Sequence, residues 1–416
     1  MKRSSKTRGG VIAALDIGST KTCCVIARAD GDRLQVIGVG HHATRGVKAG
    51  TIVDLEMAEQ AMLDAVQTAE HGANETLSAI WVNLPGGQPS SRAFTAEVPV
   101  SGREIGDGDV AAVLDQGRRA PQPPDRTAIH SIPMGFSIDG SRGIRDPRGM
   151  FGQRLGVNMH VVTASTSALR TLKTAVNRCH LDIQGVVAGA YAAGMSVLVD
   201  DERDLGVTLI DMGGGSTSIA VFHEGHLAFT DSVPIGGQHV TSDIARGLST
   251  PVAHAERIKA LYGAALASTD DERELIDVPL VGEDDMRHAN HVERSILTGI
   301  IQPRLEETFE LVRSRLEGSG LERLSGRRVV LTGGASQLAG VRDLAAHVLD
   351  KQVRVGRPTR LGDLPDSIAG PAFATVAGLL TYAAQPAREP LKRSAGSSLP
   401  PSGLFGRVGL WLKENF

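Results

Sequence analysis

Two short stretches of this chain share one hydrophobic and polar pattern. Residues 14–27, ALDIGSTKTCCVIA, run from apolar positions into an Asp, then a Gly-containing polar turn, then a second apolar run; residues 209–222, LIDMGGGSTSIAVF, do the same. Superposed, Asp16 meets Asp211, Gly18 meets Gly213 and Thr22 meets Thr217. Apolar runs on each side of a Gly turn predict β-hairpins. The same reading predicts strands near 11–16, 22–29 and 34–40, and a helix over about 55–71 with Ala58, Met62, Ala65 and Val66 at helical spacing. Residues 84–165 read as an insertion. Within it RAFTAEVPV, AIHSIPMGFSI and NMHVVTAS predict strands, DGDVAAVLDQGRRA predicts a helix, and the Pro-rich RRAPQPPDRT interrupts them. Residues 236–304 read as mostly helical with an acidic loop, and AGPAFATVAGLLTYA (369–383) as a small-residue helix suited to tight core packing.

The repeated turn has a chemical reading. A tight hairpin aims successive backbone N–H groups at one point, which suits anions and phosphates above all. Glycine removes the Cβ that would block close approach. A carboxylate beside phosphates is repelled unless a cation intervenes, so Asp16 and Asp211 point to Mg²⁺ held through water. One such hairpin alone is as well read as a plain turn; two in register, in separate halves of the chain, predict a clamp on a triphosphate tail. Neither matches G-x-x-x-x-G-K-[ST]. A third glycine element, VVLTGGASQLAGV (329–341), predicts a strand ending at Thr332-Gly333-Gly334 and a helix from near Ser336, a turn on which a ribose or flat ring can lie. In AHAERIKALYG (253–263), Glu256 and Lys259 share a helix face, either to reach an adenosine's polar edge or as a solvated ion pair.

Charge narrows the partners. Lys+Arg at 44 against Asp+Glu at 47 gives no basic excess, which argues against nucleic acid. Cys23, Cys24 and Cys179 form no C-x-x-C pair and the histidines no H-E-x-x-H, so neither a disulfide framework nor a zinc site is expected. The apolar run Val11–Leu15 stops at Asp16, too short for a signal-peptide core, and no stretch reaches the roughly 20 apolar residues of a membrane span.

The end of the chain differs in character. Residues 385–403 are rich in Pro, Ser and Gly and predict a flexible linker. In LFGRVGLWLKENF (404–416), Leu404, Phe405, Val408, Trp411, Leu412 and Phe416 fall on one helical arc; Arg407, Lys413 and Glu414 lie opposite, and Leu410 breaks the pattern. Thirteen helical residues span roughly 20 Å, too short to cross a bilayer but suited to lying in its interface. Docking on the protein's own body is the alternative. A lone anchor of this size is reversible, and many tails on one polymer gain avidity.

The order of these pieces resembles the actin/chaperone/sugar-kinase superfamily, and within it the FtsA family of bacterial actin-like division proteins. The finer likeness rests on SVPIGGQHVTSDIARGL (232–248), GIRDPRGMFGQRLGVNMHVVTAS (143–165), VDDERDLGVTLIDMGGG (199–215) and the tail. The resemblance implies an α/β actin-like two-lobed ATPase fold with a duplicated core. It would assign 8–83, 166–198 and 367–384 to the first-lobe core, and 84–165 to an inserted α+β domain linked to self-association and later division partners. It would assign 199–235 and 305–366 to the second-lobe core, and 236–304 to a helical subdomain. Carried over residue by residue, it places ATP against Asp16, Gly18, Ser19, Thr20 and Lys21, and against Asp211, Gly213, Gly214, Gly215, Ser216 and Thr217. It adds Gly236, Gly237, Glu256, Lys259, Gly333, Gly334 and Ala335. It implies as partners the C-terminal peptide of the tubulin-like FtsZ, further copies of the chain and inner-membrane lipid. Arg294 and Arg304 are candidate contacts to that acidic peptide. Hydrolytic members of the superfamily carry an acid or amide around the connecting helix; here Ala188–Gly194 has neither and Gln184 lies upstream, so slow or absent hydrolysis is expected. A small-molecule kinase and a pilus-assembly scaffold of the same superfamily are the rivals, and neither gives the tail a role. Deletion of residues 404–416 is expected to abolish co-sedimentation with anionic vesicles while leaving the protein folded, as read by pelleting and circular dichroism.

Overall fold

The computed structural model describes residues 10–385 apart from 31–32, 85–87, 270, 283–289, 322–323, 360 and 362–363. The expected interfacial helix (404–416) and nearly all of the linker therefore lie outside the described residues.

The chain opens with β1 (Val11–Ile17), β2 (Lys21–Asp30) and β3 (Arg33–Ala43), a short hairpin of β4 (Val47–Lys48) and β5 (Thr51–Ile52), α1 (Leu55–Ala73) and β6 (Ala79–Leu84). The next segment holds β7 (Ser90–Pro99), α2 (Asp107–Arg118), β8 (Arg126–Ile138), β9 (Ser141–Ile144) and β10 (Arg154–Ser165). Then follow α3 (Thr166–Arg178), β11 (Asp182–Ala188), α4 (Gly189–Val197) and α5 (Asp200–Leu205). The second half has β12 (Val207–Met212), β13 (Thr217–His223), β14 (His226–Val233), α6 (Gly237–Gly247), α7 (Val252–Tyr262), β15 (Leu275–Val278), β16 (Asn290–Glu293) and α8 (Arg294–Gly318). It closes with β17 (Arg328–Thr332), α9 (Val341–Leu349), β18 (Gln352–Val355) and α10 (Ala374–Ala384).

Two five-stranded sheets repeat one topology, β11-β6-β1-β2-β3 and β18-β17-β12-β13-β14. In each, three consecutive strands form an antiparallel meander, and two later strands add in parallel on the other side of the first. The registers coincide: Asp16 pairs with Cys23 and Asp211 with Ser218, each one pair behind the last before the turn. Residues 90–165 build a separate sheet, β7-β10-β8-β9, covered by α2, with Val110, Val113, Leu155, Val157 and Met159 in its core. Of its strands, β9 was not expected from the sequence pattern.

Helix α1 shows how pattern becomes packing. Asp54 caps its start by accepting from Met57 N at 3.0 Å, and Asn74 ends it in the left-handed region. Its buried stripe is Ala58, Ala61, Met62, Ala65, Val66 and Ala69, and β3 meets the alanines at 65 and 69 with Gly40 and Gly38. A Cβ on Gly40 would lie 2.0 Å from Ala65 O, so only glycine permits this helix-to-sheet distance. Helix α10 packs on α4 in the same way, and a Cβ on Gly378 would lie 1.7 Å from Ala192 O.

Two expected boundaries move. The helix expected from Ser336 begins at Val341; residues Gly334–Gln337 form a 3₁₀ turn closed by Ser336 Oγ donating to Gly333 O at 2.7 Å, and Gly340 turns the chain at φ 74°. The helix expected over 369–383 is a 3₁₀ turn at Pro371–Phe373 followed by α10, because proline fits a first turn but not the body of a helix. Gly378→Ala is expected to destabilise the fold by about 3 kcal/mol through overpacking on the α4 backbone, read as a lower urea midpoint at unchanged slope.

Candidate functional site

The two hairpin turns meet face to face. Each is closed alike: Gly18 N donates to Lys21 O at 2.9 Å, and Gly213 N donates to Ser216 O at 3.0 Å. A Cβ on Gly214 would lie 2.4 Å from Thr20 Cγ2, and one on Gly215 would lie 2.3 Å from Ser19 Oγ. Gly214 and Gly215 are thus needed for the approach of one hairpin to the other, whereas a Cβ on Gly213 would meet Ser216 O of its own turn at 3.0 Å. The start of α6 braces the second turn, with Gly237 N donating to Gly213 O at 3.0 Å and Gln238 N to Gly214 O at 2.7 Å. Ser19 accepts from Gly50 N at 3.0 Å.

Behind the turns lies a cavity lined by Asp16, Gly18, Ser19, Thr20 and Lys21 from one hairpin and Asp211, Gly213, Gly214, Gly215 and Ser216 from the other, with Gly333 and Gly334 at its edge. Asp16 is buried and Asp211 half-buried in its wall. Burial pushes the Asp16 carboxyl up to about 7, with Lys21 opposing the rise and Asp211 adding to it. Burial also raises Asp211, against Thr375 and Lys21, and lowers Lys21. Two desolvated acids facing one chamber form an electrostatic demand for a cation. Among the described residues no cluster of three or more His, Cys, Asp or Glu could hold a metal alone. The pair therefore fits Mg²⁺ held through water and phosphate oxygens, in keeping with how that ion binds. Gly333, at φ 84°, lies where a Cβ would come within 2.4 Å of Asp211 Oδ1.

Other expected residues sit beside this cavity. Lys259 Nζ donates to Glu256 at 2.7 Å, to Thr241 Oγ1 at 2.9 Å and to Gly237 O at 3.2 Å, so Lys259 ties α7 to α6 while the Glu256 side chain stays exposed. Ala335 adjoins Gly237, while Gly236 packs on the Gly213 and Gly214 carbonyls. These residues form a continuation past the second hairpin and do not line the cavity itself. Thr217 is a correction: it is fully buried, its hydroxyl donates to Ile235 O at 2.7 Å, and its strand neighbour Ser218 lines the cavity instead. Arg294 is held by Glu274 at 2.8 Å and by Tyr262 O, and Arg304 by Asp243 and Glu307. An acidic peptide would compete with these acids for either side chain.

Several site residues were not foreseen. Asn83 Nδ2 donates to Asp16 Oδ1 at 2.7 Å while its Oδ1 accepts from Ile17 N at 2.8 Å, so it fixes the carboxylate's orientation. Its signal was a polar residue near the carboxyl end of the apolar AIWVNL. Thr375 Oγ1 donates to Asp211 Oδ2 at 2.9 Å, and Pro371, Ala372 and Gly189 also line the cavity. The segment expected to serve core packing alone thus enters the site at its first turns.

Two sheets of repeated topology, closed over facing hairpins, define an actin-like two-lobed α/β protein. Solved structures share the fold: the PilM–PilN type IV pilus biogenesis complex (TM-score 0.61, 17% identity, 90% of this chain and 99% of that one) and MreB5 of Spiroplasma citri bound to ADP (TM-score 0.52, 11% identity, 89% and 95%). The model for "Cell division protein FtsA" matches residues 208–378, and that for "SHS2 domain inserted in FTSA" matches 86–163. Cell division protein FtsA of Agrobacterium fabrum is 44% identical over 431 residues, covering 100% of this chain and 97% of the relative. That of Pseudomonas aeruginosa is 35% identical over 419 residues (99% and 100%), and that of Escherichia coli K12 is 32% identical over 412 (97% and 96%). The chain belongs to the FtsA family: it is an actin-like cell division protein with an inserted SHS2 domain.

The raised carboxyls carry a pH signature. A carboxyl whose folded pKa exceeds its unfolded value binds more protons in the folded state, so stability falls as pH rises between the two. For Asp16 that window runs from the ordinary carboxyl value of 3.8 to about 7. Without Mg²⁺ or nucleotide, urea stability is expected to drop by a few kcal/mol across it, and Asp16→Asn is expected to flatten the slope.

Proposed function

We propose that this protein binds Mg–ATP between its two hairpins, self-assembles on the cytoplasmic face of the inner membrane at the division site, and tethers FtsZ filaments there. The observation that carries the reading is the pair of facing glycine turns with two desolvated carboxylates behind them. The two acids suit Mg²⁺, and Lys21 beside them suits phosphate oxygens. Bound Mg²⁺ would neutralise the phosphates, Asp16 and Asp211 would hold its waters, and Asn83 and Thr375 would fix those two acids.

Lys21 and the turn amides would meet the phosphates, with Gly236, Gly237, Glu256, Lys259 and Gly333–Ala335 toward the adenosine. The likeness to MreB5 bound to ADP supports a nucleotide in this fold. The start of α4 offers only Gly189 to the cavity, and Asn83, the nearby amide, is occupied by Asp16 and the Ile17 backbone. This lining supports a reading of slow or absent hydrolysis, with nucleotide controlling conformation and assembly.

The FtsZ C-terminal peptide is assigned to the helical subdomain, where Val252, Leu261, Leu275 and Ile296 are exposed apolar side chains. Later division proteins are assigned to the inserted domain. The tail supplies the lipid contact, and no helix of the described residues is long and apolar enough to cross a membrane. Calorimetry with Mg–ATP is expected to show uptake by the wild-type chain and none by Asp16→Asn/Asp211→Asn. Wild type with ATP is expected to carry FtsZ onto anionic vesicles. An intact protein that takes up no adenine nucleotide, or that binds vesicles without bringing FtsZ, would overturn the reading.

A further inference from the structure

One basic group in the cavity is already engaged by the protein. Lys21 Nζ donates to Ala372 O at 2.6 Å and stands 3.4 Å from the centroid of the Phe373 ring. His41 packs edge-on against the same ring at 5.8 Å. The segment around it reaches three further parts of the site. Pro371 O accepts from Gly333 N at 3.1 Å, Ser196 Oγ donates to Ala374 O at 2.7 Å, and Thr375 Oγ1 donates to Asp211 Oδ2 at 2.9 Å. Five consecutive residues thus join the first hairpin, the Gly333 turn, the second hairpin's acid and helix α4.

We propose that Pro371–Thr375 is a charge-reading strap: Ala372 and Phe373 hold Lys21 until a nucleoside triphosphate draws it away. The inference rests on the nucleotide reading above. A carbonyl and an aromatic face are neutral partners for an ammonium, whereas phosphate oxygens form charge-assisted bonds about twice as strong. A triphosphate carries more charge than a diphosphate and competes better for Lys21. Release of Lys21 leaves the strap without its tie to the first hairpin. The close contact of Gly378 with the α4 backbone means that α10 cannot shift at its start without pressing on α4. The strap therefore links terminal phosphate charge to the two helices packed between the sheets, and Phe373 sets how much charge is needed.

The test is calorimetry on the full-length chain with Mg–ATP and Mg–ADP. Phe373→Leu removes the ring, so Mg–ATP is expected to bind about 3- to 10-fold tighter, with a smaller gain for Mg–ADP. Phe373→Tyr keeps a ring and is expected to bind like wild type. Lys21→Gln is expected to weaken Mg–ATP binding, and adding Phe373→Leu to it is expected to change nothing further. Should the leucine variant fail to fold by circular dichroism, Phe373→Met, of similar volume, is read the same way. Unchanged or weaker Mg–ATP binding by a folded ring-deleted variant, or a gain that persists without Lys21, overturns the strap while leaving the nucleotide site standing. Absence of uptake by wild type overturns both.

Discussion

The rest of the structure depends on two glycine turns pressed together with a carboxylate behind each. Backbones can meet this closely only where side chains are missing, and Gly214 and Gly215 supply that absence against Thr20 and Ser19. Closure brings Asp16 and Asp211 into one chamber, where burial raises both carboxyls and Asp211 adds to the cost of charge on Asp16. Asn83, Thr375 and Lys21 partly offset that cost. An arrangement that keeps two acids together in one cavity is poorly explained by stability, since buried like charges oppose folding. Under the proposed function a cation and an anionic ligand would offset it.

The duplicated core is symmetric in topology and asymmetric in chemistry. Both hairpins share register and closing hydrogen bond, but where the first turn carries Ser19, Thr20 and Lys21 the second carries Gly214, Gly215 and Ser216. One side presents side chains and the other yields space and backbone amides. The second turn, with fewer side chains to stiffen it, is held by the first N–H groups of α6. The first turn is instead held by Gly50 and by the Lys21 contact to Ala372 and Phe373.

The inserted sheet is tied to both halves. His130 accepts from Ala188 N at 3.0 Å, at the entry to α4, and Ser91 exchanges hydrogen bonds with the Thr230 backbone on β14. A segment inserted in the first half thus touches the strand that ends the second meander. For a family defined by this insertion, these contacts give the added sheet a fixed place against the core.

Much of this was legible from the chain alone. Register repeats and glycine turns are local properties, so the pairing of Asp16 with Asp211 and the helix stripe on α1 followed from period and composition. Strand parity was also available and would have chosen Ser218 over Thr217, because successive side chains point to opposite faces. What tertiary structure decided was every contact between distant positions. Asn83 reaches Asp16 across 67 residues, Thr375 reaches Asp211 across 164, and Lys21 reaches Ala372 across 351. No local pattern encodes those meetings, since they arise only when two sheets and the helices between them pack at a fixed distance. Which glycines face a ligand and which face another hairpin was settled the same way, because a missing Cβ has meaning only once its neighbour is in place.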